Sequence, residues 1–288
     1  MDTRNEIRDF LTTRRARMTP EQAGLPSFGG RRRVAGLRRE EVAMLAGVSV
    51  DYYTRLERGN LSGVSETVLE SLSRALALDE AERQHLFNLA RAASTPTRAR
   101  KSTSAAPSAV RPGVQRILDA LVMAPAYVRN DRLDILAIND LGRVVFSQAL
   151  EDVHRPANLA RYQFLDPRSR TFFTNWETRA NDCVALLRIA AGRDPYDKGL
   201  TDLIGELSTR SEEFRIRWAT HNVRLHRTGA KQFWHPVVGA LDLAYEALEL
   251  PGEASLSMMV YTAAADSPSS DALQLLANLT ATPVDSKA

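Results

Sequence analysis

The chain has 288 residues, 44% of them hydrophobic, with 38 Lys and Arg against 35 Asp and Glu. That length suits about two domains with real cores, and a single cysteine, Cys183, excludes an intrachain disulfide framework and paired-cysteine zinc ligation. No apolar run is long enough to cross a bilayer and the charged N-terminus lacks the apolar core of a signal peptide, so a cytoplasmic protein is expected. The charge is unevenly placed: residues 1–101 hold 18 Lys/Arg against 13 Asp/Glu, the remainder 20 against 22.

Residues 3–18 predict a helix in which Ile7, Phe10 and Leu11 form the apolar stripe, with Thr3 as its cap and Glu6 completing a capping box. Pro20, Gly24, Pro26, Gly29 and Gly30 break any helix across 19–37. This loop is long for a compact domain, and its run Arg31, Arg32, Arg33 is expected to act as a basic arm against phosphate or minor groove. Arg38 to Gly59 then reads as two short helices joined at Gly47, which tolerates positive φ. Ser49 is placed to cap the second helix, which runs from Val50 to about Arg58 and stops at Gly59. Ala43 provides the small side chain that a close helix crossing needs, and Val42, Ala46, Val48, Tyr53 and Leu56 are expected to lock the pair. Val50, Asp51, Tyr52, Thr54 and Arg55 are left facing outward. Two more helices follow: one capped by Ser65, the other started by Asp79 with Glu82 three residues on. Residues 94–111, rich in Ser, Thr, Ala and Pro, predict a linker between domains at 1–93 and 112–288.

The stretch 38–59 resembles the Cro/C1-type (XRE-like) helix-turn-helix family in its small residue, glycine turn, polar cap, buried apolar positions and closing Leu-Glu-Arg-Gly. A helix-turn-helix lays its second helix in the DNA major groove, so Ser49 to Arg55 is expected there. Arg55 is the expected base reader, because arginine can bond guanine O6 and N7 together. Val50 would meet a thymine methyl, and Asp51 would either accept from cytosine N4 or, the favoured reading, orient a neighbouring arginine. Arg38, Arg39, Arg58, Asn60 and the Arg31–Arg33 arm would hold phosphates, which set register without reading sequence. Double-stranded DNA is thus the expected partner, and a homodimer the expected state.

Beyond residue 112 the patterning changes. A short helix over 114–123 is followed by a hairpin of 126–130 and 133–139, several helices to about His221, three strand candidates at 230–238, 240–250 and 255–264, and a terminal helix over 270–279. The fold class is therefore an all-α domain of five helices followed by an α+β, PAS-like domain with a five-stranded antiparallel sheet. Pro125-Ala126, Asn139, Asn158, Phe164, Trp176, Leu186-Leu187-Arg188, Ser211 to Phe214, Trp218, His221 and His235 to Gly239 resemble the MmyB-like ligand-binding domain. That resemblance implies a one-component regulator whose second domain takes a small apolar, fatty-acid-like ligand. A dimerisation or protein-binding role without a ligand is the alternative. Tyr127, Ala137, Trp176, Cys183, Leu187 and Met258 are candidate pocket residues, with Arg132, Asn139, Arg188 and His235 as candidate polar anchors. No metal is expected, since His221 and His226 lie five apart and do not share a helical face. No cofactor and no catalysis are expected either: the chain has no Gly-x-Ser-x-Gly elbow and no phosphate-cradling glycine loop.

Overall fold

The computed structural model describes residues 3–25, 34–94, 110–220, 228–252 and 255–281. The Arg31–Arg33 arm, nearly all of the predicted 94–111 linker, and His221 and His226 lie outside them. Five helices come first: α1 (Thr3–Arg17), α2 (Arg39–Ala46), α3 (Val50–Glu57), α4 (Glu66–Ala75) and α5 (Glu80–Ser94). There follow α6 (Pro112–Ala120), β1 (Ala126–Asn130), β2 (Ile135–Ile138), α7 (Asp140–Val145), α8 (Ser147–Leu150), α9 (Leu159–Leu165), α10 (Ser169–Phe172), α11 (Trp176–Arg193), α12 (Lys198–Arg210), α13 (Glu212–Ala219), β3 (Thr228–His235), β4 (Gly239–Glu249), β5 (Leu256–Thr262) and α14 (Pro268–Ala281). The described residues fall into two compact units: one takes those of Met1–Thr103, Val184–Asp202 and Ile216–Leu225, the other those of Ser104–Cys183, Leu203–Arg215 and His226–Ala288.

The first unit is built on the helical periodicity of its sequence. Ile7, Phe10 and Leu11 of α1 are fully buried with Val42, Tyr53, Leu56, Leu72 and Leu86, and Ile189 of α11 joins the same core. Burying side chains of this size stabilises the unit by roughly 1.5–3 kcal/mol each. The capping box at α5 is reciprocal: Glu82 N–H donates to Asp79 Oδ1 at 2.9 Å, and Asp79 N–H to Glu82 Oε2 at 3.1 Å. At α1, Thr3 is itself the first helical residue, one position past the cap place expected of it. Glu6 is buried and its carboxylate pairs with Arg188 of α11, a fully buried guanidinium that needs a counter-charge. Arg188 also lies over the Trp218 ring at 4.1 Å and donates to the Trp218 carbonyl.

The second unit is an α+β domain. Its five strands are all antiparallel and ordered β2-β1-β5-β4-β3, a PAS-like arrangement. Period-two alternation gives the sheet two different faces. Tyr127, Phe233, Leu241, Leu243, Tyr245, Met259 and Tyr261 share one buried cluster with Phe146, Leu273 and Leu276. Ala126, Val128, Leu256 and Met258 share the opposite one with Val114 and Leu118 of α6. No helix of the described residues is long and apolar enough to cross a membrane.

Candidate nucleic-acid interface and ligand site

Gly47 closes α2 in the left-handed region (φ 67°, ψ 33°), where an L side chain is strained. The turn is held by Gly47 N–H to the Met44 carbonyl at 3.1 Å and Val48 N–H to that of Ala43 at 2.9 Å. Ser49 then opens α3 in an extended conformation, and its hydroxyl accepts the Tyr52 N–H at 3.1 Å. With the helix so fixed, Tyr53 and Leu56 point into the core and are fully buried. Ser49, Val50, Asp51 and Arg55 are exposed, Tyr52 and Thr54 half-buried. The Arg55 guanidinium rests 4.9 Å from the Tyr52 ring centroid. That cation–π contact steadies Arg55, the role the sequence reading gave to Asp51; among the described residues Asp51 makes no ion pair. Arg38, Arg58 and Asn60 are exposed around this helix, and Arg38 forms a solvent-exposed pair with Glu40 at 3.3 Å.

Arg39 has a second task. Its Nε donates to the buried Glu57 carboxylate, which also takes Arg15 Nε at 2.5 Å and faces the Tyr53 hydroxyl at 3.4 Å. Burial and the neighbouring Glu57 charge push the Tyr53 phenol up. Glu57 thus ties α1, α2 and α3 together. Sequence reasoning gave it no role beyond the closing Leu-Glu-Arg-Gly run; the available signal was a carboxylate on the inward side of an otherwise apolar stripe. At Gly59 (φ 93°) a β-carbon would meet the Arg4 carbonyl oxygen at 2.2 Å, so this helix end accepts only glycine.

The candidate ligand residues do not converge. Tyr127 lies on one face of the sheet, Met258 and Ala137 on the α6 side, because residues of opposite parity on paired strands point opposite ways. Asn139 is spent on structure: its Oδ1 accepts the N–H groups of Ala126 and Gly142, both at 2.9 Å, and its Nδ2 donates to the carbonyls of Leu121 and Ala124. His235 Nε2 donates to the Val144 carbonyl at 3.2 Å and Nδ1 accepts from Val237 N–H, a neutral ring whose pKa burial holds below the usual range. Arg132 sits half-buried in the β1–β2 turn. Trp176 is pinned through its Nε1 to the Gln163 carbonyl and Ser169 Oγ, with Arg170 stacked at 4.0 Å. Cys183 is buried and its thiol is pushed up to about 12, so it is not a nucleophile at neutral pH. Leu187 and Arg188 belong to the first unit, and the Arg188 guanidinium, already paired with Glu6, is not available as a head-group anchor. An open groove of about 380 Å³ near α9 holds none of the candidate residues, and its Arg168 is paired with Asp166 and Glu151. Among the described residues no group of three or more His, Cys, Asp or Glu could hold a metal ion.

Compared with known families, residues 110–276 match the MmyB-like transcription regulator ligand-binding domain, and residues 8–86 match a helix-turn-helix domain. A search of curated proteins finds no match.

Proposed function

The chain belongs to the MmyB-like transcription regulators, and from that premise we propose that it is a one-component regulator in which a small apolar, fatty-acid-like ligand of the second unit sets how tightly the first unit holds DNA. It is a DNA-binding transcription regulator. The observation that carries the DNA-contacting assignment is the division of α3: Tyr53 and Leu56 fully buried, Asp51 and Arg55 exposed. An exposed arginine on a helix that a serine cap and a glycine turn hold rigid is the geometry of major-groove readout. Arg38, Arg58, Asn60 and the exposed part of Arg39 flank that helix and supply phosphate contacts. A homodimer would place two such helices on a two-fold operator about one helical turn apart.

The ligand half of the reading rests on the family and on the dense aromatic cluster over the sheet, where Phe146 packs edge-on against Tyr127 at 5.3 Å and Phe233 at 5.8 Å. Fluorescence anisotropy on an operator fragment selected by the protein itself, with and without decanoate, tests both halves. The reading expects tight salt-dependent binding whose affinity shifts when decanoate is present. DNA binding that decanoate and longer fatty acids leave unchanged refutes the regulatory link, and no DNA binding refutes the whole.

A further inference from the structure

One group of side chains in the second unit has a charge that its surroundings do not balance. The odd-numbered residues of β1, β3, β4 and β5 share a face, which brings together Tyr127 and Arg129 of β1, Lys231 of β3, Tyr245 of β4 and Tyr261 of β5. Lys231 starts on the edge strand. Its ammonium crosses the Tyr245 ring, 4.4 Å from the centroid, and donates to the Tyr261 hydroxyl at 3.2 Å. The Tyr261 and Tyr127 hydroxyls are 3.1 Å apart. From α11 come Arg179 and Asp182, paired at 2.9 Å through Arg179 Nη2. The other terminal nitrogen of Arg179, Nη1, is buried and has no hydrogen-bond partner.

Three cations, Arg129, Arg179 and Lys231, therefore act on one another with Asp182 as the carboxylate among them. Among the described residues neither Arg129 nor Lys231 has an ion-pair partner. Burial first, then Arg179 and Arg129, hold the Lys231 pKa down at about 7. Positive charge withdrawn from water without counter-charge is unfavourable, and an anion supplied from outside relieves it. The same face continues into apolar surface: Phe233 lies two residues along β3 from Lys231, Leu243 is its cross-strand partner, and Phe146 stacks on both Phe233 and Tyr261.

We propose that this cluster receives the carboxylate of the regulator's ligand, with Lys231 and Arg179 as donors, Tyr261 as the hydroxyl that orients the head group, Arg129 as a further positive charge, and the Phe146–Phe233 surface against the apolar chain. The assignment rests on the ligand-binding reading given above and adds to it the residues that hold the head group, which select an organic anion over a neutral lipid.

Calorimetric titration of the full chain with decanoate and with 1-decanol tests it. A charge-assisted hydrogen bond is worth about 1.5–3 kcal/mol, so the wild type is expected to bind decanoate at least about tenfold tighter than decanol. Lys231→Met and Arg179→Met should each lose that preference while still binding decanol, and Lys231→Arg should retain it. Equal affinity of the wild type for both probes overturns the head-group assignment and leaves the ligand reading standing. So does decanoate affinity unchanged in both methionine variants. Failure of the wild type to bind either probe overturns the ligand reading and this assignment with it.

Discussion

Arg55 and Arg38 lie within a few turns of each other and are expected to behave differently. Arg55 sits outward on α3, braced by Tyr52; its replacement by Ala should reduce discrimination at one base pair by about 1–3 kcal/mol. Arg38, exposed at the start of α2, should on replacement weaken all sequences alike and lower the salt slope by about one; competition binding across several salt concentrations separates the two. Lys231 carries a pH dependence. Its pKa falls from 10.5 in the unfolded chain to about 7 in the fold, lowered by burial first and then by Arg179 of α11 and Arg129 of β1, against the opposing pull of Asp182 and Cys183 of α11; the Tyr245 and Tyr261 rings also face it. Between those values the unfolded chain holds one more proton, so raising the pH from 7 towards 10 stabilises the ligand-free fold. Thermal melts of wild type and Lys231→Met at pH 6.5, 8 and 9.5 should show the wild type gaining on the variant; a gap that widens in the variant's favour contradicts the burial of this lysine. Of the Lys231 cluster, the sequence singles out only Tyr127 and Cys183 as pocket residues. The other members come from residues 129, 179–182 and 231–261, and only the register of three strand pairs shows which parity they share.

The elements were far more legible than their partners. The glycine turn, the serine cap and the Asp79–Glu82 box follow from local chemistry within four residues, and all three form as expected. The five strands also follow from alternation, with ends shifted by up to three residues. What alternation could not supply was which candidate pocket residues share a face, hence the separation of Tyr127 from Met258. Nor could periodicity reveal that Glu6 answers Arg188 across 182 positions. Two substitutions test the element level. Ser49→Ala should remove about 1 kcal/mol without changing the fold. Glu57→Gln should cost about 3 kcal/mol, since it leaves the largely buried Arg15 without its counter-charge. Urea denaturation measures both, and a Glu57→Gln loss no larger than that of Ser49→Ala would show that the carboxylate does not hold α1, α2 and α3 together.

For the molecule as a whole, the division of labour is carried by chemistry that differs between the units. The first is arginine-rich with a reading helix exposed on its outward face; the second is an antiparallel sheet whose aromatic face ends in cations. One helix, α11, gives Arg179 and Asp182 to the second unit and Arg188 to the first. If ligand and DNA are linked, reciprocity requires that DNA alter ligand affinity by the same factor. Decanoate titrations with and without operator should therefore return the factor that anisotropy finds with and without decanoate.

The DNA-binding account depends on the outward face of α3 meeting base edges. Selection from a random-sequence DNA pool by the wild type, Arg55→Ala and Arg38→Ala tests that most directly. The wild type should enrich a defined motif, Arg55→Ala the same motif with the preference at one base pair lost, and Arg38→Ala the intact motif at lower affinity. Enrichment of an unaltered motif by Arg55→Ala, with every position as strongly preferred as before, would contradict the account.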